Sequence, residues 1–393
     1  MVYIKREIEK ELIFLSKQYP VITIIGPRQS GKTTLAKKVF FEYGYYSLES
    51  PDIRSIAQED PRGFLSTDKK GLILDEIHHS PELVSYIQEI VDNKQNKVQY
   101  ILTGSSNISV LYRITQSLAG RTAILRLLPL SIKELKKNVA RFSTNELLIH
   151  GFYPVVHADR REPTRTYRNY YETYLERDVR QLINLKDLRT FQTFIRLCAG
   201  RIGNLFNASA LAGEVGVSVP TIKSWLSVLE ASFVIFLLPP YHENIGKRLT
   251  KTPKLYFYDV GLASYLLGIE NSNQISRDPL RGALFENMIV AELLKARYNI
   301  GKDNNLYFYR DSNGNEVDVL QKNGNELTAI EIKSSGTFNS GFLKNIKYIE
   351  KLFGDKLTQQ NLIYSGEQKH KIGNCHVIDY LSFFSMKKER FNI

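Results

Sequence analysis

Two groups of residues in this chain have the types and spacing for chemistry. The first is GPRQSGKTT, which comprises Gly26, Pro27, Arg28, Gln29, Ser30, Gly31, Lys32, Thr33 and Thr34. Its G-x-x-x-x-G-K-[ST] spacing suits a loop that cradles phosphates, because two glycines let backbone N–H groups close on phosphate oxygens. Lys32 can reach the β and γ phosphates, and the Thr33 hydroxyl can ligate magnesium. The expected ligands are ATP and Mg2+. Downstream, GLILDEIHH ends an apolar run in Asp75 and Glu76. Asp75 can hold magnesium through water while Glu76 polarises an attacking water, the two roles that hydrolysis requires. His78 and His79 follow without a second cluster of ligands, so exposed or packing histidines are the plainer reading.

The second group lies in NEVDVLQKNGNELTAIEIKSS, Asn315 to Ser335. Strand periodicity puts Glu331 and Lys333 on one face and Ile330 and Ile332 on the other. The KNGN segment predicts a tight hairpin that brings the strand of Asp318 beside that of Glu331. Upstream, RGALFENMIVAELLKARY reads as an amphipathic helix whose Glu286 can approach from the side. Converging carboxylates raise one another's pKa unless a divalent cation joins them. A magnesium ion held by Glu286, Asp318 and Glu331 could activate water for attack on a phosphodiester, with Lys333 stabilising the developing charge. An exposed, salt-bridged sheet face would use the same residue types.

These groups need positioning elements. VITII, GYYSLE, GLILD, VQYILTG and TAILRL are short apolar segments alternating with helical ones. The alternation predicts an α/β fold with a parallel sheet covered on both faces. From Thr164 to Leu197 the pattern is helical and arginine-rich. Asn207 to Leu229 reads as helix, turn and helix, and from Leu280 onward a helix precedes strands, a helix and a strand. The expected units are residues 1–160, 161–200, 201–265 and 266–393.

Composition narrows the class. The chain has 393 residues, 43% hydrophobic and 24% charged, enough for more than one core. Two cysteines far apart, Cys198 and Cys375, supply no disulfide framework and no metal-ligand spacing, which favours a reducing cytoplasm. No apolar run has the length of a membrane helix. A net charge of +12 favours a polyanionic partner, since lysine and arginine set against phosphates release counterions.

GPRQSGKT, LILDEIHH, YILTGSSN and SLAGRTAILRLLPLS together resemble a prokaryotic group of AAA-type ATPases. In that group an ATPase core and helical lid precede a winged helix and a restriction-endonuclease-like C-terminal domain. The resemblance implies a sensor residue at the tip of the fourth strand, with Ser105, Ser106 and Asn107 as candidates. It also implies an arginine finger, for which Arg121 is the natural choice, acting in trans within a homo-oligomer. Glu286, Asp318 and the Glu331-x-Lys333 pair resemble the glutamate, D and E-x-K pattern of the nuclease superfamily.

Two further segments admit alternatives. Tyr167, Tyr170, Tyr171 and Tyr174, then Asp178 and Leu182, fall on helical spacing, with Arg165, Arg168 and Arg180 elsewhere around the helix. Such a stripe suits either the buried face of a helix or stacking on nucleic acid. In the helix-turn-helix, Thr221, Lys223 and Ser224 would face outward, for DNA or for protein contact. The sequence therefore supports an ATPase acting on nucleic acid, DNA before RNA, which either remodels it or licenses its cleavage by the C-terminal domain. The alternative is an ATP-gated switch that binds partners without cleaving them.

Overall fold

The computed structural model describes residues 3–93, 98–105, 116–179, 188–242 and 251–386, omitting the side chains of residues 105, 136, 137 and 176–179. Strands β1 (Val21–Gly26), β2 (Gly44–Ser47), β3 (Gly71–Asp75), β4 (Gln99–Ser105) and β5 (Thr122–Arg126) form one parallel sheet in the order β2-β3-β4-β1-β5. Their apolar runs serve two cores by alternation. Leu72, Leu74, Tyr100 and Leu102 enter the core on one face, while Ile22, Ile24, Ile73 and Ile101 enter the other. A strand covered on both sides has no polar face, which explains the unbroken hydrophobic segments.

After this sheet the chain is helical, with helices Thr144–His150, Pro154–Ala158, Pro163–Tyr170 and Leu188–Ala199. Ser143 and Glu146 cap the first of these reciprocally. Tyr167, Tyr170, Tyr171 and Tyr174 are buried, so the tyrosine stripe is core. Arg168 pairs with Glu172 across one turn, whereas Arg180, Leu182 and the side chain of Asp178 lie outside the described residues.

Asn207 caps helix Ala208–Val215, Gly216 ends it with φ +77°, and Ser218 caps helix Val219–Ala231. An antiparallel pair follows, β6 (Ile235–Leu238) with β7 (Lys254–Phe257). Lys223 and Ser224 are exposed and Thr221 is half-buried.

The C-terminal sheet contains β8 (Leu306–Arg310), β9 (Glu316–Asn323), β10 (Glu326–Lys333), β11 (Leu357–Tyr364), β12 (His370–Ile372) and β13 (Cys375–Asp379), in the order β12-β13-β11-β10-β9-β8. The helix Arg281–Tyr298 packs on β10. Its sequence reads as amphipathic, yet every residue from Asn287 to Lys295 is buried. The cause is that this helix is enclosed on several sides, not laid on a surface. Its polar residues are consumed internally: Asn287 accepts from the Phe257 N–H at 2.7 Å and donates to the Phe257 carbonyl at 3.0 Å, serving β7 as an edge partner. One hydrophobic cluster runs from Ile25 through the helical segment to Leu284–Leu294, Ile330 and Ile332. No helix among the described residues is long and apolar enough to cross a membrane.

Candidate nucleotide site and C-terminal carboxylate site

The loop after β1 is shaped by close approach. A Cβ on Gly26, whose φ is +154°, would lie 2.1 Å from the Leu127 carbonyl oxygen, and Gly31 begins the next helix with φ +93°. Only glycine tolerates the first contact. Lys32 is buried, and its ammonium donates to the carbonyls of Gly26 at 3.1 Å and Pro27 at 2.9 Å. Burial lowers its pKa to about 8, against the opposing pull of Glu76 and Asp75.

The Thr33 hydroxyl donates to Asp75 at 2.8 Å and 3.0 Å, so the two groups expected to share magnesium are adjacent. Tyr45 donates to the same carboxylate at 3.0 Å, and Thr103 donates to it as well. Glu76 adopts φ +55°, a conformation unfavourable for a side-chain-bearing residue, and its N–H donates to Thr103 Oγ1 at 3.3 Å. The Glu76 carboxylate lies 3.1 Å from His78 Nδ1, and the rings of His78 and His79 lie 4.1 Å apart, tilted by 34°. Burial lowers the pKa of His79, aided by His78. Oxygen donors at Thr33 and Asp75 beside a glycine-lined helix start fit a magnesium–nucleotide complex, which would supply the electrophilic phosphate.

Parallel pairing sets Ser105 of β4 beside Gly26, so the fourth strand ends at the loop. Ser106 and Asn107 lie outside the described residues. The β4 hydroxyl that does touch Asp75 belongs to Thr103, which precedes the polar tip singled out from sequence. Arg121 occupies the opposite end of the sheet: Thr122 pairs with Val21, and the Val21 N–H donates to the Arg121 carbonyl at 3.3 Å. The length of β1, about 3.3 Å per residue, separates it from the loop of its own chain. There Arg121 holds Asp92 through two contacts, at 2.5 Å and 2.8 Å.

Arg6 was not legible as a site residue. Its buried guanidinium donates to the Ser30 carbonyl at 2.7 Å, the Leu128 carbonyl at 2.7 Å and Glu134 at 3.0 Å. Glu134 in turn accepts from the N–H groups of Glu7 and Ser131 at 2.7 Å and 2.8 Å. The same segment is gripped from the other side, since the Ile132 N–H donates to Glu292 at 2.8 Å and Lys295 donates to the Leu130 carbonyl at 2.9 Å. A buried polar chain thus connects the phosphate loop to helix Arg281–Tyr298, which carries Glu286.

At the C-terminal site, β9 and β10 pair antiparallel with Ile330 opposite Val319, and one further step sets Asp318 opposite Glu331. Asp318 accepts from the Ile332 N–H at 2.7 Å. Lys333 lies 2.7 Å from Glu331 and 3.9 Å from Asp318. Asn345 donates to Glu331 Oε1 at 3.2 Å, while Glu331 Oε2 is buried without a partner. Burial, then repulsion from Asp318, pushes Glu331 up to about 8 and Glu286 up to about 7. Asp318, Glu331 and Lys333 therefore meet, and Glu286 is near enough to Asp318 to feel its charge.

Two neighbours were missed because no sequence spacing links them to the set. Lys254 of β7 places its ammonium 3.3 Å from Glu286 and 2.5 Å from Glu316, and Tyr256 donates to Glu286 at 2.5 Å. Burial alone would lower the Lys254 pKa, but Glu286, Asp318 and Glu316 together raise it. The carboxylates are thus already served by ammonium, hydroxyl and backbone donors. Among the described residues no group of three or more His, Cys, Asp or Glu side chains is arranged to hold a metal ion. With the Lys254 ammonium at Glu286 and the Lys333 ammonium at Glu331, this donor set does not fit a divalent cation.

Comparisons with known proteins follow this division. Residues 18–136 match the family model of an AAA domain. The match supports ATP binding and hydrolysis by the N-terminal unit. Residues 141–273 match a domain of unknown function, DUF8612, and residues 281–383 match another, DUF4143. The uncharacterized protein Rv2008c of Mycobacterium tuberculosis is 27% identical over 362 residues, covering 91% of this chain and 79% of that protein. The uncharacterized protein MJ1544 of Methanocaldococcus jannaschii is 25% identical over 424 residues, covering 97% and 90%. Among solved structures, the Walker-type ATPase PABY2304 of Pyrococcus abyssi aligns with a TM-score of 0.46 and 16% identity, over 67% of this chain and 96% of that one.

Proposed function

We propose that this protein is a magnesium-dependent ATP hydrolase whose nucleotide state is transmitted to a C-terminal unit acting on nucleic acid, DNA before RNA, in the cytoplasm. The observation that carries the reading is the buried chain from the Ser30 carbonyl through Arg6 and Glu134 to Ile132 and Glu292. A change in the phosphate loop is felt there by the segment that helix Arg281–Tyr298 holds.

In the nucleotide site, Gly26 to Thr34 cradle the phosphates, Lys32 compensates charge and Thr33 with Asp75 holds the metal. Glu76 orients the attacking water. Arg121, remote from its own loop, serves the neighbouring subunit of a homo-oligomer, and Asn107 is the sensor. Lys223 and Ser224 on the second helix of the helix-turn-helix are available to a DNA backbone, in the manner of a winged helix.

The test is ATP turnover with and without magnesium and with and without DNA. Magnesium-dependent turnover that rises with DNA supports the reading; turnover indifferent to DNA favours a switch that contacts protein partners, and no turnover refutes it. A second reading, cleavage by Glu286, Asp318, Glu331 and Lys333, is favoured by Lys333 lying 2.7 Å from Glu331 and 3.9 Å from Asp318. Nuclease assays on single- and double-stranded DNA and RNA decide it, with Lys333→Ala as the control. Cleavage that persists in that control comes from a contaminant.

A further inference from the structure

The C-terminal carboxylates take one of their positive charges from another unit of the chain. Lys254 and Tyr256 are two residues apart on β7, so they share a face, and both reach Glu286. The Lys254 ammonium also lies 2.5 Å from Glu316 and 5.4 Å from the centre of the Phe308 ring. Beside it, the turn after helix Leu188–Ala199 closes over the same glutamate. A Cβ on Gly203 would lie 3.4 Å from Glu286 Oε1, and the Gly203 N–H donates to the Leu255 carbonyl at 2.9 Å. Leu205 bridges to Lys254 itself.

β7 and this turn therefore act as one piece, roofing Glu286 and inserting a fixed cation. A divalent ion approaching Glu286 and Asp318 would meet the Lys254 charge at short range in a buried setting, where repulsion is strong. We propose that Lys254 is the resident cation of the C-terminal carboxylate site and that its ammonium keeps a divalent metal ion out. This rests on reading Glu286, Asp318 and Glu331 as a cation-binding set.

The probe is Mn2+ binding to the full-length, nucleotide-free protein, followed by electron paramagnetic resonance. Wild type, Lys254→Met and Lys254→Arg are each compared with their Asp318→Asn counterpart, which removes the contribution of the nucleotide site. Lys254→Met is expected to gain a site at least about tenfold tighter than wild type, absent from its Asp318→Asn counterpart, while Lys254→Arg stays like wild type. Equal, Asp318-dependent binding in wild type and Lys254→Met overturns the role of Lys254 and leaves the carboxylate reading standing. Binding in neither overturns both. Should Lys254→Met fail to fold alone, Mn2+ should restore a cooperative melt to it but not to Lys254→Met/Asp318→Asn; no restoration overturns the proposal.

Discussion

The Lys32 ammonium offers a quantitative test of the nucleotide site. Burial, the largest influence on it, brings its pKa down to about 8. A lysine of that pKa is neutral in roughly 10% of molecules at pH 7, 50% at pH 8 and 90% at pH 9. Phosphate oxygens favour the charged form, so the bound lysine is fully protonated across this range. Binding of magnesium–ATP should therefore take up roughly 0.1 proton at pH 7, 0.5 at pH 8 and 0.9 at pH 9. The sign follows directly. Affinity is nearly constant below pH 8, where the free protein already carries the charge, and then falls by up to about tenfold per pH unit above it. Calorimetry in paired buffers of different ionisation enthalpy gives the proton number at each pH. Lys32→Met removes the titrating group, so its proton uptake should vanish along with most of its affinity. A slope of zero at pH 9 in wild type, or an unchanged slope in Lys32→Met, would refute the assignment.

The remaining predictions concern neighbouring parts of the machine. Mixing Lys32→Ala with Arg121→Ala should restore ATP turnover that neither has alone, because the first still presents Arg121 to the intact loop of the second; absence of rescue would remove the support for action in trans. Arg6→Ala should cost about 3–5 kcal/mol in denaturant unfolding, since it strands the buried Glu134 carboxylate, and Arg6→Met should not recover that loss. Gly151 has φ +55°, and a Cβ there would lie 2.0 Å from the Tyr167 hydroxyl and 2.3 Å from Asp259. Gly151→Ala should therefore destabilise by more than about 1–3 kcal/mol and break the hydrogen bond of 2.6 Å between Tyr167 and Asp259, as read from the thermal midpoint and a structure of the variant.

Much of the nucleotide site was legible because its chemistry is local. Gly26 to Thr34 are contiguous, and a strand, a glycine loop and a helix in that order leave few alternatives. Asp75 was legible as the polar end of an apolar strand, and parallel pairing of β3 with β4 and of β4 with β1 then carries it to Thr33. The tyrosine stripe illustrates the opposite case. Its helical spacing fitted a nucleic-acid platform as well as the plainer core face, and burial decided for the core. Arg6 left no signal, since a basic residue near a chain start is ordinary until Ser30, Leu128 and Glu134 gather round it.

By itself the amino-acid sequence determined the parallel sheet, the phosphate loop and the turn that pairs Asp318 with Glu331. These depend on periodicity and short-range backbone geometry, which neighbouring residues dictate. Only the tertiary structure decided what neutralises the carboxylates. Lys254 reaches Glu286 from a strand in another unit, and the lysine's own segment contains nothing that marks this partnership. Charge compensation in a buried site is set by distances through space, whereas a motif records only distances along the chain.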